Sequence, residues 1–186
     1  PSAVDVGRGT RFVFVDGTYD KGKSRTNTQE AICLVQEIVK RLSNPEKSAR
    51  SIGVVTFSQA QQTLIEDLLD EARNGNPEIE RFFSEDVNEP VFVKNLENVQ
   101  GDERDTILFS ICYAADNSGK LSMNFGPLNR IGGERRLNVA ITRAREEVVV
   151  FSSIHAEDID LSRTKALGVT HLKSYLKYAE KGYNNL

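Results

Sequence analysis

A run of arginines between residues 134 and 153 is the stretch of this sequence whose side chains are best suited to bind an anion. It reads Glu-Arg-Arg-Leu-Asn-Val-Ala-Ile-Thr-Arg-Ala-Arg-Glu-Glu-Val-Val-Val-Phe-Ser-Ser. On a helix, Arg136 and Arg143 would lie two turns apart on one face. Guanidinium groups suit phosphate because their planar fork donates paired, charge-assisted hydrogen bonds. The spacing favours a phosphate contact, and the competing interpretation is an ordinary surface helix with solvated cations.

The hydrophobic pattern of the same stretch predicts the elements that would hold these arginines. An apolar stripe at helical spacing consists of Leu137, Ala140, Ile141 and Ala144. Residues 148–151 form a continuous β-branched and aromatic run, which is typical of a strand buried on both faces. We therefore expect a helix through Ala144 that feeds a core strand and holds Arg143 rigidly near its end.

Elsewhere the chain alternates buried strands with amphipathic helices. Strands are predicted at residues 11–15, 52–57, 91–93, 106–113 and 147–152, and helices over 27–42, 58–74 and 168–181. Asn27 would cap the first helix, with Glu30 completing a capping box. This alternation predicts an α/β fold with a mostly parallel sheet flanked by helices.

Composition narrows the class of protein. The 186 residues suit one domain, and a net charge of −3 means that any nucleic-acid contact must come from a local basic patch. No apolar run approaches the roughly 20 residues that span a bilayer, so no membrane association is expected. Cys33 and Cys112 lie in apolar patterns, which predicts buried, reduced thiols in a cytoplasmic protein. Because Pro1 stands where a start methionine would be, we expect a piece of a longer protein.

Residues 17–24 match the phosphate-binding pattern G-x-x-x-x-G-K-[ST] and follow a predicted strand. A working phosphate loop runs straight into its helix, so that the helix N-terminus meets the phosphate. Here the helical stripe starts about seven residues after Lys23. The pattern therefore favours a flexible basic loop, and a complete nucleotide hydrolase that uses Lys23 and Ser24 is the alternative.

Three stretches resemble the motifs of one family, the superfamily 1 helicases. Residues 137–145 resemble motif VI, residues 97–107 resemble motif V, and residues 54–61 resemble a third motif at a strand end. The order and spacing are similar to the second RecA-like domain, nearest to the branch that contains the RNA-surveillance helicase. The amino-acid sequence of these motifs is most similar to that of large bacterial putative DNA helicases. The resemblance implies a RecA-like three-layer sandwich, with residues 1–186 forming a single domain.

The resemblance also implies roles for individual residues. Arg143 matches the arginine finger, which touches the γ-phosphate of ATP and stabilises charge that develops during phosphoryl transfer. Glu103 matches a contact to the nucleotide ribose, and Gln100 and Gly101 match the turn that lets the backbone approach the ligand. The family's first RecA-like domain would supply most of the site for ATP and Mg²⁺, so no metal ligand is expected here.

Two departures from the family pattern affect these roles. Many relatives carry Asn-Arg-x-Glu-Ala at the start of the first helix, where the arginine is a second γ-phosphate contact. In this chain Thr28 takes that arginine's position, and Arg25 is the candidate substitute for ATP binding. Relatives also often carry Pro-Tyr where this chain has Phe57 and Ser58.

A single strand of nucleic acid is the expected partner, with DNA favoured over RNA. Ligands of parallel α/β sheets bind at the carboxyl ends of the strands, and small polar groups hold phosphates without reading sequence. The candidate contacts are Thr56, Ser58, Asn95 and Asn98. A non-catalytic RecA-like binding module is the remaining alternative to a helicase motor.

Overall fold

A computed structural model describes residues 9–181, and they form one five-stranded sheet with helices on both faces. The strands are β1 (Gly9–Phe14), β2 (Ile52–Thr56), β3 (Phe92–Asn95), β4 (Arg104–Ser110) and β5 (Ala144–Ser152). Their spatial order is β1-β5-β4-β2-β3, and every neighbouring pair is parallel. The predicted parallel sheet is confirmed.

Four helices cover the sheet as two pairs. They are α1 (Thr28–Leu42), α2 (Gln59–Gly75), α3 (Gly133–Ile141) and α4 (Leu167–Lys181). Helices α1 and α2 pack together on one face, and α3 and α4 pack together on the other. This is the predicted RecA-like three-layer sandwich.

Alternating strand residues feed the two cores. On β4, Ile107 and Phe109 lie in the core with α3 and α4, whereas Leu108 lies in the core with α1 and α2. All three are fully buried. A strand buried on both faces has no solvated side, which explains its continuous apolar run.

The predicted end of α3 and the predicted burial of Cys33 were wrong. Helix α3 ends at Ile141, and Ala144 is the first residue of β5 rather than a fourth helical contact. The reason is strand pairing, because Ala144 is the register partner of Arg104 on β4. Cys112 is buried as predicted, but Cys33 is only half-buried.

Because the strands are parallel, the sheet has two distinct edges. We call the edge where the strands end the carboxyl edge, and the edge where they begin the amino edge. Residues 96–103 return from the carboxyl edge of β3 to the amino edge of β4, anchored by the buried side chains of Leu96 and Val99. Among residues 9–181, no helix is long and apolar enough to cross a membrane.

Candidate nucleotide and nucleic-acid sites

Arg143 and Glu103 face each other at the amino edge, where β4 and β5 begin. The Nη1 atom of Arg143 lies 3.8 Å from Oε1 of Glu103. The backbone N–H of Arg104 donates to the carbonyl of Arg143 at 3.1 Å, which fixes the two segments side by side. The structure thus brings together two residues that are forty positions apart and were predicted to bind the same nucleotide.

The turn before β4 has the backbone geometry expected for close approach to a ligand. Gly101 has φ +88°, a conformation that glycine adopts at no steric cost. A Cβ atom at this position would meet nothing within 4 Å, so glycine is required here for its positive φ and not to avoid a steric clash. Gln100, beside it, is exposed to solvent.

Arg143 does not lie on a helix, which corrects the predicted placement. It follows the last helical residue by two positions, and its Nε donates to the carbonyl of Val139 at 3.0 Å. Its Nη2 donates to Oγ1 of Thr142 at 3.1 Å. The guanidinium donates to a carbonyl that lacks a partner within α3, and its positive charge is stabilised by the negative, C-terminal end of the helix dipole. The pairing of β5 with β4 ends the helix before the predicted stripe is complete.

Arg145 lies at the same edge and connects several segments of the domain through its hydrogen bonds. Its guanidinium donates to Glu89 at 2.6 Å and to Asp105 at 2.9 Å, and it reaches the hydroxyl of Ser51 at 3.2 Å. Hydrogen bonds from Arg145 lower the pKa of Glu89 to about 2. Arg145 therefore ties β5 to β4 and to the segments that precede β2 and β3.

At the carboxyl edge, two of the predicted nucleic-acid contacts are occupied by the protein itself. Thr56 is fully buried and donates to the carbonyl of Ser58 at 2.8 Å. Asn95 is 5% exposed, and its amide donates to Gln59 at 2.7 Å and to Gln62 at 2.9 Å. These two side chains join the strand ends to the start of α2 by hydrogen bonds, and their contact with phosphates stays a prediction.

The other two predicted contacts remain accessible. Asn98 is exposed, although its side-chain oxygen accepts from the backbone N–H of Asn95 at 2.8 Å. Ser58 is half-buried and caps α2 by accepting from the N–H of Gln61 at 3.2 Å. Both therefore have a structural role and a solvent-facing side.

The loop after β1 is not built like a phosphate loop. Helix α1 begins at Thr28, four residues beyond Ser24. The backbone N–H and hydroxyl of Ser24 both donate to the carboxylate of Asp20, at 3.1 Å and 3.0 Å. These donors would have to face a phosphate in a working site. Lys23 is exposed.

Arg25 lies at the carboxyl edge, whereas Arg143 and Glu103 lie at the amino edge. Its backbone N–H donates to the carbonyl of Asp20 at 2.8 Å, within the loop that leads from β1 to α1. The roughly 20 Å length of a seven-residue strand separates the two edges. Within this domain the structure does not bring Arg25 to the other predicted nucleotide contacts.

A pocket of about 530 Å³ opens at the carboxyl edge beside Arg25. Its walls come from the loop after β1, the start of α2 and the long segment between β4 and α3. Tyr19, Ser58, Tyr113 and Arg130 are among its lining residues. The sequence predicted ligand binding at this edge and pointed to Ser58 and Arg25. It gave no signal for Tyr19 and Arg130, because these two residues lie in segments without periodic structure.

Glu30 lies in the first turn of α1, and its predicted role in a capping box was wrong. Asn27 does cap α1 by accepting from the backbone N–H of Glu30 at 3.1 Å. The fully buried Glu30 carboxylate instead accepts from Ser110 Oγ at 2.6 Å and from the backbone N–H of Cys112 at 2.7 Å. Burial raises the pKa of Glu30 to about 7, against the opposing hydrogen bonds. The Asn27 N–H that a capping box would use donates to Gln61 at 2.9 Å.

Comparison with known families agrees with this fold. The family described as AAA domain matches residues 10–155. Uncharacterized ATP-dependent helicase MG140 of Mycoplasma genitalium is 40% identical over 168 residues, which is 89% of this chain and 14% of that protein. Probable helicase senataxin of Homo sapiens is 32% identical over 135 residues, 70% of this chain and 4% of that protein. The chain thus spans a small fraction of the relatives it matches.

Two further proteins are similar at a greater distance. Probable RNA helicase armi of Drosophila melanogaster is 28% identical over 113 residues, 61% of this chain and 8% of that protein. Among solved structures, the C-terminal domain of a possible DNA helicase from Lactobacillus plantarum superposes with a TM-score of 0.44 at 13% identity. That match covers 91% of this chain and 84% of the other, and it is too distant to bear on function.

Proposed function

This chain belongs to the AAA domain family and is a superfamily 1 helicase motor domain, and from this premise we propose that it acts as the second motor domain of an ATP-dependent helicase or translocase. The observation that carries the proposal is the pairing of Arg143 with Glu103 at the amino edge, 3.8 Å apart. A guanidinium for phosphate and a carboxylate for a ribose hydroxyl form a complementary pair for one nucleotide.

In the proposed motor, this domain completes an ATP site and does not form one alone. A first RecA-like domain would hold most of the nucleotide and its Mg²⁺. One feature of the chain supports this division. In the loop at residues 17–24, the backbone N–H and the hydroxyl of Ser24 both donate to Asp20, so the loop does not present these donors to a phosphate. Arg143 would meet the γ-phosphate when the two domains close.

The test is steady-state ATPase activity of a protein that carries this domain together with its first RecA-like domain, at saturating single strand. Arg143→Ala should lower kcat by at least about a hundredfold with little change in KM, because arginine fingers are worth on the order of 10³–10⁵ in kcat. Arg143→Lys should rescue poorly, since a point charge cannot copy the fork. If Arg143→Ala kept turnover within a few-fold of the unsubstituted protein, Arg143 would not be the arginine finger.

Arg135 provides the matched control, because it lies in the same arginine run and its side chain is 88% exposed. Arg135→Ala removes an identical charge and should leave kcat within about threefold, as expected for an exposed surface side chain. If Arg135→Ala abolished turnover while Arg143→Ala did not, the finger would lie at the N-terminus of α3. Thermal melts of both variants are needed because Arg143 also binds the carbonyl of Val139.

A single strand of nucleic acid is the proposed partner, crossing the carboxyl edge. Three of the relatives named above are called helicases, and one of them an RNA helicase. The preference for DNA therefore stays a prediction, to be checked by comparing affinities for single-stranded DNA and RNA of equal length. We also propose a cytoplasmic location, which the free thiols of Cys33 and Cys112 support.

A self-contained nucleotide hydrolase is the second candidate, supported only by the match of residues 17–24 to the phosphate-loop pattern. It requires tight ATP binding by this chain that is lost in Lys23→Ala. The proposed motor domain requires weak ATP binding that Lys23→Ala leaves unchanged. Isothermal titration of the chain with Mg²⁺–ATP separates the two.

A further inference from the structure

The pocket at the carboxyl edge has the size and charge of a binding site that the proposed motor does not yet use. Its volume of about 530 Å³ lies within the roughly 300–1,000 Å³ range of small-ligand sites. Its cations are Lys21, Arg25 and Arg130, and its one acid, Glu97, is 3.1 Å from Arg130. On a chain with a net charge of −3, this is a local basic site.

Arg25 is held at the pocket in a strained backbone conformation. Its φ is +58°, which is uncommon for a residue with a side chain. Two backbone hydrogen bonds maintain the turn, from Arg25 N–H to the carbonyl of Asp20 at 2.8 Å and from Asp20 N–H to the carbonyl of Thr26 at 2.9 Å. Strain of this kind persists where the surroundings over-determine it, and it concentrates at ligand sites.

Tyr19 supplies a flat apolar surface on the same side of the pocket. Its ring lies 5.3 Å from the ring of Tyr113, tilted by 54°. Tyr113 is buried and donates its hydroxyl to the carbonyl of Phe57 at 3.4 Å. The backbone N–H of Tyr19 donates to the carbonyl of Ala115 at 3.0 Å. Tyr19 is thus supported from behind while it remains half-buried.

From these features we infer that the pocket holds one nucleotide of a bound single strand, with its base against Tyr19 and its phosphate on Arg25. The inference rests on the proposed function and assigns the nucleic-acid contact to side chains other than the buried Thr56 and Asn95. A base stacked on an aromatic ring and a phosphate on a cation are the two contacts by which single strands are bound without regard to sequence.

The test measures binding of a labelled oligothymidylate to this chain by fluorescence anisotropy over a series of salt concentrations. Arg25→Gly should weaken binding by about tenfold and reduce the slope of log K against log salt by roughly 0.7, because one phosphate contact is lost. Its melting temperature should stay the same or rise, since glycine accepts the positive φ. Tyr19→Ala should weaken binding by about tenfold with the slope unchanged, because stacking releases no counterions.

Lys47→Ala is the matched control, because Lys47 is exposed in the connection from α1 to β2, toward the amino edge. It removes one positive charge and should leave affinity within about twofold. If Arg25→Gly and Tyr19→Ala bind like the unsubstituted chain, the pocket assignment is overturned while the proposed motor role stands. If the unsubstituted chain binds no strand even at low salt, the nucleic-acid part of the proposed function fails as well.

ATP is the other source of phosphate for this pocket, and a second titration separates it from the strand. Mg²⁺–ATP is titrated into the unsubstituted chain and into Arg25→Gly. The inference expects the same weak affinity for both. Loss of ATP binding in Arg25→Gly without loss of strand binding would make the pocket a nucleotide site and overturn the strand assignment.

Discussion

At the scale of single residues, Glu30 is an acidic side chain that lies inside the core of the domain. Its carboxylate is fully buried where the carboxyl ends of β4 and β5 meet the start of α1, and it accepts hydrogen bonds from Ser110 and Cys112. Desolvation raises its pKa from 4.5 to about 7 despite those bonds. The hydrogen bonds favour the ionised carboxylate, but the cost of removing its charge from water is larger, so the protonated form is favoured in the folded domain below about pH 7.

We predict that Glu30 makes the domain lose stability as pH rises from about 4.5 to about 7. In this window the folded state keeps a proton that the unfolded state has released, so the free energy of unfolding decreases with pH. Because a tenfold difference in proton affinity between the two states corresponds to about 1.4 kcal/mol, the loss attributable to Glu30 is on the order of 3 kcal/mol. Denaturant melts at a series of pH values would measure it.

Glu30→Gln isolates this effect, because its amide oxygen can still accept from Ser110 and Cys112 but cannot ionise. The variant should lose the downward slope between pH 4.5 and pH 7 that the unsubstituted chain shows. Equal slopes for the two proteins would mean that Glu30 is ionised in the folded domain across this range.

At the scale of elements, the pairing of α3 with α4 depends on two glycines. A Cβ atom on Gly168 would lie 2.3 Å from the carbonyl oxygen of Leu128, and one on Gly133 would lie 2.5 Å from the same atom. The first turns of the two helices therefore approach the Gly126–Asn129 turn through their backbones. This contact places α3, and with it Arg143, against the sheet.

Gly168→Ala is predicted to lower the free energy of unfolding by about 1–3 kcal/mol, the usual range for overpacking. Gly75→Ala, at the end of α2, is the control, because a Cβ atom there meets nothing within 4 Å. Alanine at that helical position should be neutral or stabilise by up to about 1 kcal/mol. Urea melts of both variants provide the measurement. Equal free energies of unfolding would mean that the backbone at Leu128 moves away from the added methyl group without a cost in stability.

At the scale of the whole molecule, the two proposed sites occupy opposite edges of one rigid sheet. Arg143 and Glu103 lie at the amino edge, and the pocket around Tyr19 and Arg25 lies at the carboxyl edge. Strands β4 and β5 run directly between them, buried on both faces over most of their length. Any coupling between nucleotide and strand would pass along these strands or through a second domain.

In this chain by itself we expect the two sites to be independent. Substitutions more than about 10 Å apart without shared partners usually add, and roughly 20 Å separates the edges. Arg143→Ala should therefore leave the affinity for oligothymidylate within about twofold, measured by the same anisotropy titration. A tenfold loss would show that the finger position also contributes to strand binding within this one domain.

From the sequence alone, hydrophobic periodicity determined the strands and most of the helices, and residue type determined the cap of α1 at Asn27, because these depend on neighbours a few residues away. The alternation of strands and helices along the chain then determined that the sheet is parallel. The motifs determined the family and the need for a glycine at position 101. The sequence also suggested that the loop at residues 17–24 is not a working phosphate loop, and the helix start at Thr28 agrees with that.

Only the tertiary structure decided which polar side chains are free to bind a ligand. Thr56, Asn95 and Glu30 are polar residues at strand or helix ends, where solvent-facing contacts are common, yet each is buried. Their partners depend on the register between distant strands, as in the bond from Ser110 to Glu30 across eighty residues. A buried polar group must find a partner within the protein, and which one it finds depends on packing that no local pattern specifies.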